Sequence, residues 1–169
     1  IRLVIFGLMP AWGLSNAAAT MVGQALGARD PDRANASVWV ASRINLAFLG
    51  TLGILLVAFA PDVVGLFSAD VEVSEIAVRA LRIVSLGFPL YAFGMVLSQA
   101  FNGAGDTWTP TWLNLAVFWT MEIPLAWFLA RGLKLGPDGI FWAITVAFSV
   151  LAGAAALVWR RGRWRTREV

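Results

Sequence analysis

Five stretches of this chain run almost without charge for the length of a membrane crossing, and no other feature constrains its fold as strongly. They cover residues 3–28, 44–61, 83–105, 107–130 (interrupted once, by Glu122) and 139–159. A spanning helix takes about 20 mostly apolar residues. The second helix is expected to begin earlier than its uncharged run, near Ala34. The pattern therefore predicts an all-α, polytopic transmembrane helical bundle with spans at about 3–28, 36–60, 80–104, 108–130 and 139–159. A basic tail, residues 160–169, follows. Helices of a soluble core carry a polar stripe at a 3.6-residue period, and these runs have none.

Composition narrows the function. Apolar residues make up 59% of the chain and charged residues 14%, and there is no His and no Cys. Without them there is no Ser-His-Asp triad, thiol nucleophile, zinc finger or iron–sulfur cluster. The chain is read as no enzyme, with no catalytic residue, no metal site and no cofactor. A sequence pI of 10.6 invites a nucleic-acid reading. The excess charge, however, sits in the tail, where Arg160, Arg161, Arg163, Arg165 and Arg167 face only Glu168. Nucleic-acid modules need a basic stripe across a folded face, so no nucleic-acid partner is expected. The tail instead has the pattern of a cytoplasmic flank.

Five spans put the two ends on opposite sides. With the tail inside, Arg29 and Arg33 also lie inside, while Arg79, Arg82, Arg131 and Lys134 lie outside with Asp62, Asp70, Glu72, Glu75 and Asp138. This predicts a multi-pass plasma (inner) membrane protein with a cytoplasmic C-terminus. Trp108, Trp112, Trp142, Trp159 and Trp164 fall near span ends and read as an aromatic belt. Trp12 and Trp119 lie mid-span and read chiefly as packing residues. The chain enters a span directly from Ile1, without a signal-peptide pattern, and is expected to be a segment of a longer protein.

Polar groups inside the spans mark the candidates for function. The first span carries Pro10, Gly13, Ser15, Asn16, Gly23 and Gln24. Its polar face is either helix–helix glue, with Gly23 and Gly27 in GxxxG spacing, or a wall of a water-filled cavity. The third span carries Pro89, Tyr91, Ser98, Gln99 and Asn102, and ends in a turn in which Asp106 can cap the next helix. Glu122 is the one acid well inside a span, with Pro124 two residues later. It is either a coupling or proton site, a partner of a cation such as Arg43, or a neutral hydrogen-bonded group. Arg43 itself is read as snorkelling to an interface.

Four stretches go beyond generic membrane chemistry: AAATMVGQALGARDPDRA (17–34), SQAFNGAGDTWTP (98–110), EIPLAWFLARGLKLGPDGIFWAI (122–144) and RRGRW (160–164). In their order and spacing they resemble the multidrug and toxic compound extrusion (MATE) family. The resemblance implies twelve helices in two six-helix lobes, of which this chain is similar to the last five of the C-terminal lobe. It implies secondary antiport, in which inward flow of protons or sodium drives export of bulky, often cationic and aromatic compounds by alternating access. The partners it implies are the N-terminal lobe of the same chain, the lipid bilayer and such small organic substrates.

On that resemblance Asn16, Tyr91, Ser98 and Gln99 are the candidate cavity-lining residues. Pro10, Pro89 and Pro124 are candidate hinges, and Glu122 is the candidate coupling site. Some family members carry an acid in the middle of the helix that corresponds to the third span. Here that span has none, and Tyr91 lies in about that region, which favours proton coupling through the other lobe. Two alternatives remain: a lipid-linked saccharide flippase of the same superfamily, which tends to line its cavity with basic residues, and a non-transporting membrane scaffold.

Overall fold

The computed structural model describes residues 2–67 and 70–166, with the side chains of 2, 3 and 166 excepted; residues 167–169 of the basic tail lie outside the described residues. The described elements are helical. They are α1 (Arg2–Gly27), α2 (Pro31–Ala58), the short α3 (Ala60–Gly65), α4 (Val71–Leu86) and α5 (Phe88–Gly103). The helix α6 (Trp108–Gly132) and α7 (Pro137–Arg160) follow, and a 3-10 turn over Arg163–Thr166 closes the chain. By length and hydropathy α1, α2, α6 and α7 can each cross a membrane, and α4 with α5 pass the same test as a bent pair.

The helix boundaries follow from local chemistry. Asp30 caps α2 by accepting from the Arg33 backbone N–H at 2.9 Å, with Pro31 in the first turn. Asp70 does the same for α4 through the Val73 N–H at 3.1 Å. Asp106 is almost fully buried and accepts twice from Thr109, from its N–H at 3.1 Å and its hydroxyl at 2.7 Å. This is the cap expected from the sequence, and it satisfies donors that the first helical turn leaves orphaned.

The third span, expected at about 80–104 with a candidate hinge at Pro89, begins earlier, at Val71. It is two 16-residue helices meeting at 55° around Gly87. Pro89 has no N–H to give the Ser85 carbonyl. The Gly87 N–H turns back to the Val84 carbonyl at 3.0 Å. The freed Ile83 carbonyl accepts from the Thr145 hydroxyl of α7 at 3.0 Å, a hydroxyl shared with its own Phe141 carbonyl at 3.2 Å. The bend is thus built from a missing donor and a replacement donor on a neighbouring helix. In α6, π-helical stretches over Leu115–Glu122 and Phe128–Gly132 flank the α-helical Ile123–Trp127 that holds Pro124. Around Pro10, by contrast, α1 continues as helix.

Helix α5 is the centre of the packing. It contacts α1, α2 and α7, while α4 lies on α2 and α7, and α6 lies along α7. The seams are rich in alanine, with Ala18, Ala25, Ala34, Ala100, Ala104 and Ala155 nearly or fully buried in one cluster. Small residues let helix backbones approach closely where the hydrophobic effect cannot drive association. The tightest approach is at Gly103, where an added Cβ would fall 2.2 Å from the Ala19 carbonyl oxygen. Gly23 faces the Gly103 carbonyl, but nothing lies within 4 Å of a Cβ on Gly27. The close contact of α1 is therefore Ala19 and Gly23 against Gly103, not the Gly23–Gly27 pair expected from spacing.

The tail corrects a further expectation, that Trp159 and Trp164 belong to an aromatic belt. Gly162 adopts a left-handed φ of 74°, which turns the chain back under α7. Trp164 then stacks on Trp159 with ring centres 4.2 Å apart and planes 11° from parallel. Both indoles are buried, at 1% and 2% exposure, so they belong to the core and not to a lipid-facing belt. Trp108, Trp112 and Trp142 are exposed.

Candidate functional site

The residues that the sequence singles out on the third span converge. Tyr91, Met95, Ser98, Gln99 and Asn102 follow one another at helical spacing along one face of α5. That face borders an open cavity of about 250 Å³, lined also by Trp12 of α1, Asn114 and Phe118 of α6, and Phe148 and Leu151 of α7.

The cavity has two chemically distinct parts. Tyr91 and Phe148 lie with ring centres 4.1 Å apart at 52°, and Phe118 meets Phe148 edge-on at 5.4 Å and 73°. These rings offer faces and edges to an aromatic or cationic guest. The other part is amide and hydroxyl. The Asn102 Nδ2 donates to Gln99 Oε1 at 3.0 Å, which fixes both amides and leaves the Gln99 amide nitrogen to donate and the Asn102 oxygen to accept. Among the described residues, no Asp, Glu, Lys or Arg lines the cavity. The arrangement can hold an organic molecule by stacking and by neutral hydrogen bonds.

Tyr91, Ser98 and Gln99 are thus brought together. Asn16 is exposed on α1, one turn beyond Trp12, and does not line the cavity. Glu122 is partly buried on α6, one turn beyond Phe118, and lies outside the lining. Among the described residues no ion pair joins Glu122 to Arg43 or to any other cation. Arg43 is exposed on α2. Pro89 sits in the first turn of α5 at the bend, Pro124 between the two π stretches, and Pro10 within continuous helix.

The lining also includes residues that sequence reasoning left out. Trp12, which the sequence reads chiefly as a packing residue, is 58% exposed and borders the cavity. Asn114 and Phe118 extend the i, i+4, i+8 series begun by Pro110 on α6, a periodicity visible in the sequence once the facing helix is known. Phe148 carried no such signal, since α7 is apolar all round.

Residues 1–128 match the protein-family model described as MatE. Over 169 residues the chain is 31% identical to a probable multidrug resistance protein NorM of Caulobacter vibrioides, covering 99% of this chain and 35% of that protein. It is 28% identical over 157 residues to a probable multidrug resistance protein YoeA of Bacillus subtilis, covering 90% of this chain and 34% of that protein. Among solved structures it superposes on the MATE transporter ClbM in complex with Rb+ with a TM-score of 0.89 at 26% identity, covering 97% of this chain and 39% of that one. The chain spans about a third of the length of the curated relatives it matches.

Proposed function

The chain belongs to the MatE family, and from that premise we propose that it is part of a multidrug efflux transporter that exports bulky aromatic or cationic compounds by antiport. The observation that carries this reading is the charge-free cavity in which Tyr91, Phe118 and Phe148 stack beside Ser98, Gln99 and Asn102. Such a lining suits guests that differ in shape but share aromatic faces or a delocalised positive charge. The relatives named as multidrug resistance proteins support the same substrate class.

In this reading the transport cavity is shared with a second lobe, and alternating access comes from rocking of the two lobes about it. Either H+ or Na+ moves inward as the coupling ion. Glu122 is the acid that this segment contributes at membrane depth. Pro89 at the head of α5 and Pro124 between the π-helical stretches of α6 lie on two of the four helices that wall the cavity, and they let those walls shift without breaking the bundle. The tail end faces the cytoplasm of an inner membrane, in accordance with the arginines at that end. A saccharide flippase would need basic groups facing its substrate phosphates, and the described lining has none.

The test is efflux of a fluorescent aromatic cation from vesicles holding the full-length protein, with a proton or a sodium gradient imposed. Tyr91→Ala and Phe148→Ala should each raise the substrate concentration needed for half-maximal export while leaving the amount of folded protein unchanged. Export that is insensitive to both substitutions would overturn the assignment of this cavity. Export that needs neither gradient would overturn antiport.

A further inference from the structure

A second cavity lies at the opposite extreme of polarity. It occupies about 570 Å³ at the C-terminal end of α7, and Asn35, Trp39, Arg160, Arg161, Trp164 and Arg165 are among its walls. Three arginines thus line one space. Among the described residues, the carboxylate paired with one of these arginines is that of Asp32, 3.5 Å from Arg165 and largely exposed. Such a surface pair holds little energy and leaves the arginine available.

Asn35 supplies the sharper observation. Its Oδ1 accepts from two indoles, Trp39 at 3.2 Å and Trp159 at 3.0 Å. An indole nitrogen only donates, so the atom between them is the oxygen, and the amide NH2 is left to donate in a cavity walled by arginines. Two donors on one amide oxygen also polarise the group and make its N–H a stronger hydrogen-bond donor. The position is rigid, because Trp159 is buried, stacked on Trp164 and set edge-on to Phe101 at 5.1 Å. The helix dipole alone would favour arginines at this end of α7. It does not account for the cavity or for the doubly bonded amide among its walls. The last carbonyls of α7 are already served: Arg161 N–H donates to Val158, Gly162 N–H to Trp159, and the Trp164 indole to Trp159 at 2.9 Å.

We propose that this pocket binds an anionic phosphate group. Guanidinium groups and a polarised amide donor match phosphate oxygens in geometry and charge. The pocket lies at the end of a helix of 24 residues, which at 1.5 Å per residue spans the hydrocarbon layer and sets the site at headgroup depth. A phospholipid headgroup and free phosphate both carry this chemistry.

Calorimetric titration of the purified full-length protein separates the two sources. The probes are a short-chain phosphatidylglycerol, the matching phosphatidylcholine and inorganic phosphate. Phosphatidylglycerol should bind, and phosphatidylcholine, whose ammonium compensates the phosphate, should bind at least about tenfold more weakly. Asn35→Asp keeps the acceptor for both indoles and replaces the donor with a negative charge. The Arg160→Gln/Arg161→Gln pair removes two guanidinium groups. Each variant should weaken phosphatidylglycerol binding about tenfold or more, with thermal unfolding monitored to confirm the fold. If Asn35→Asp fails to fold, the arginine pair carries the test. Inorganic phosphate that displaces the lipid would support the site with a soluble occupant, and failure to displace it would support the headgroup. Wild-type affinity in the arginine pair, or equal binding of the two lipids, would overturn the proposal.

Discussion

Replacing Gly103 with alanine places a methyl carbon 2.2 Å from the Ala19 carbonyl oxygen and 2.7 Å from the Ala19 Cα. An unstrained carbon–oxygen contact needs about 3.3 Å, so the α1–α5 crossing must open by roughly 1 Å. The obstacle is backbone, and no rotamer change relieves it. Opening the seam loosens Ala18, Val22, Ala100 and Phe101, all buried there. A gap of that size forfeits a quarter to a half of each dispersion contact, and overpacking of a filled core costs about 1–3 kcal/mol. The expected loss is at the upper end, about 3 kcal/mol. Gly27→Ala is the matched control, because its added methyl meets nothing within 4 Å; it should change stability by less than about 1 kcal/mol. The assay is reversible unfolding in mixed micelles, followed by helical circular dichroism. A Gly27→Ala loss equal to that of Gly103→Ala would refute the assigned crossing and restore the Gly23–Gly27 pair as the contact.

Thr145→Val removes the hydroxyl that serves the Ile83 carbonyl at the bend, and should cost about 1 kcal/mol in the same unfolding assay, as interhelical hydrogen bonds in membranes do. Trp159→Phe keeps the ring that meets Phe101 but loses the indole donor to Asn35; a loss of about 1 kcal/mol is expected, against about 3–5 kcal/mol for Trp159→Ala. Glu122→Gln should slow proton-driven export in vesicles more than it lowers the yield of folded protein, and unchanged transport at normal yield would end its coupling role.

How much of this was legible in the sequence depends on which physical signal each feature leaves. Absence of charge over about 20 residues is a direct signal, and the expected spans rest on it. Caps are local as well, so Asp106 could be assigned from its neighbours alone. Tyr91, Ser98 and Gln99 stand out in the sequence because polar groups on an apolar helix need partners, and they border one cavity. Phe148 and Phe118 do not stand out, because aromatic residues on an apolar helix look alike whether they face lipid, core or cavity. Trp159 and Trp164 misled for the same reason. Span-end tryptophans commonly sit among headgroups, and only the turn at Gly162 brings these two together beneath the bundle. Asn16 shows the converse: a polar residue in a span, exposed and one turn short of the cavity's edge.

The bend at Gly87 connects the charge pattern to the cavity. Laid end to end, the two 16-residue helices of the bent pair would run roughly 50 Å, well beyond a hydrocarbon layer of about 30 Å. The charges are confined to the first helix, which carries Glu72, Glu75, Arg79 and Arg82. Arg79 is tied to Asp138 of α7 at 3.1 Å, and Arg82 to the Val57 carbonyl of α2 at 3.3 Å. These ties hold α4 near the water, and the 55° turn lets the uncharged α5 take a different course through the bundle. The sequence expectation began this span at residue 80 because the apolar signal fades there, whereas helical hydrogen bonding persists to Val71 under a different solvent. The same turn fixes which face of α5 meets α6 and α7. Pro89 and Thr145 therefore act on the cavity at a distance: they set the direction of the helix that carries Tyr91, Ser98, Gln99 and Asn102 into it.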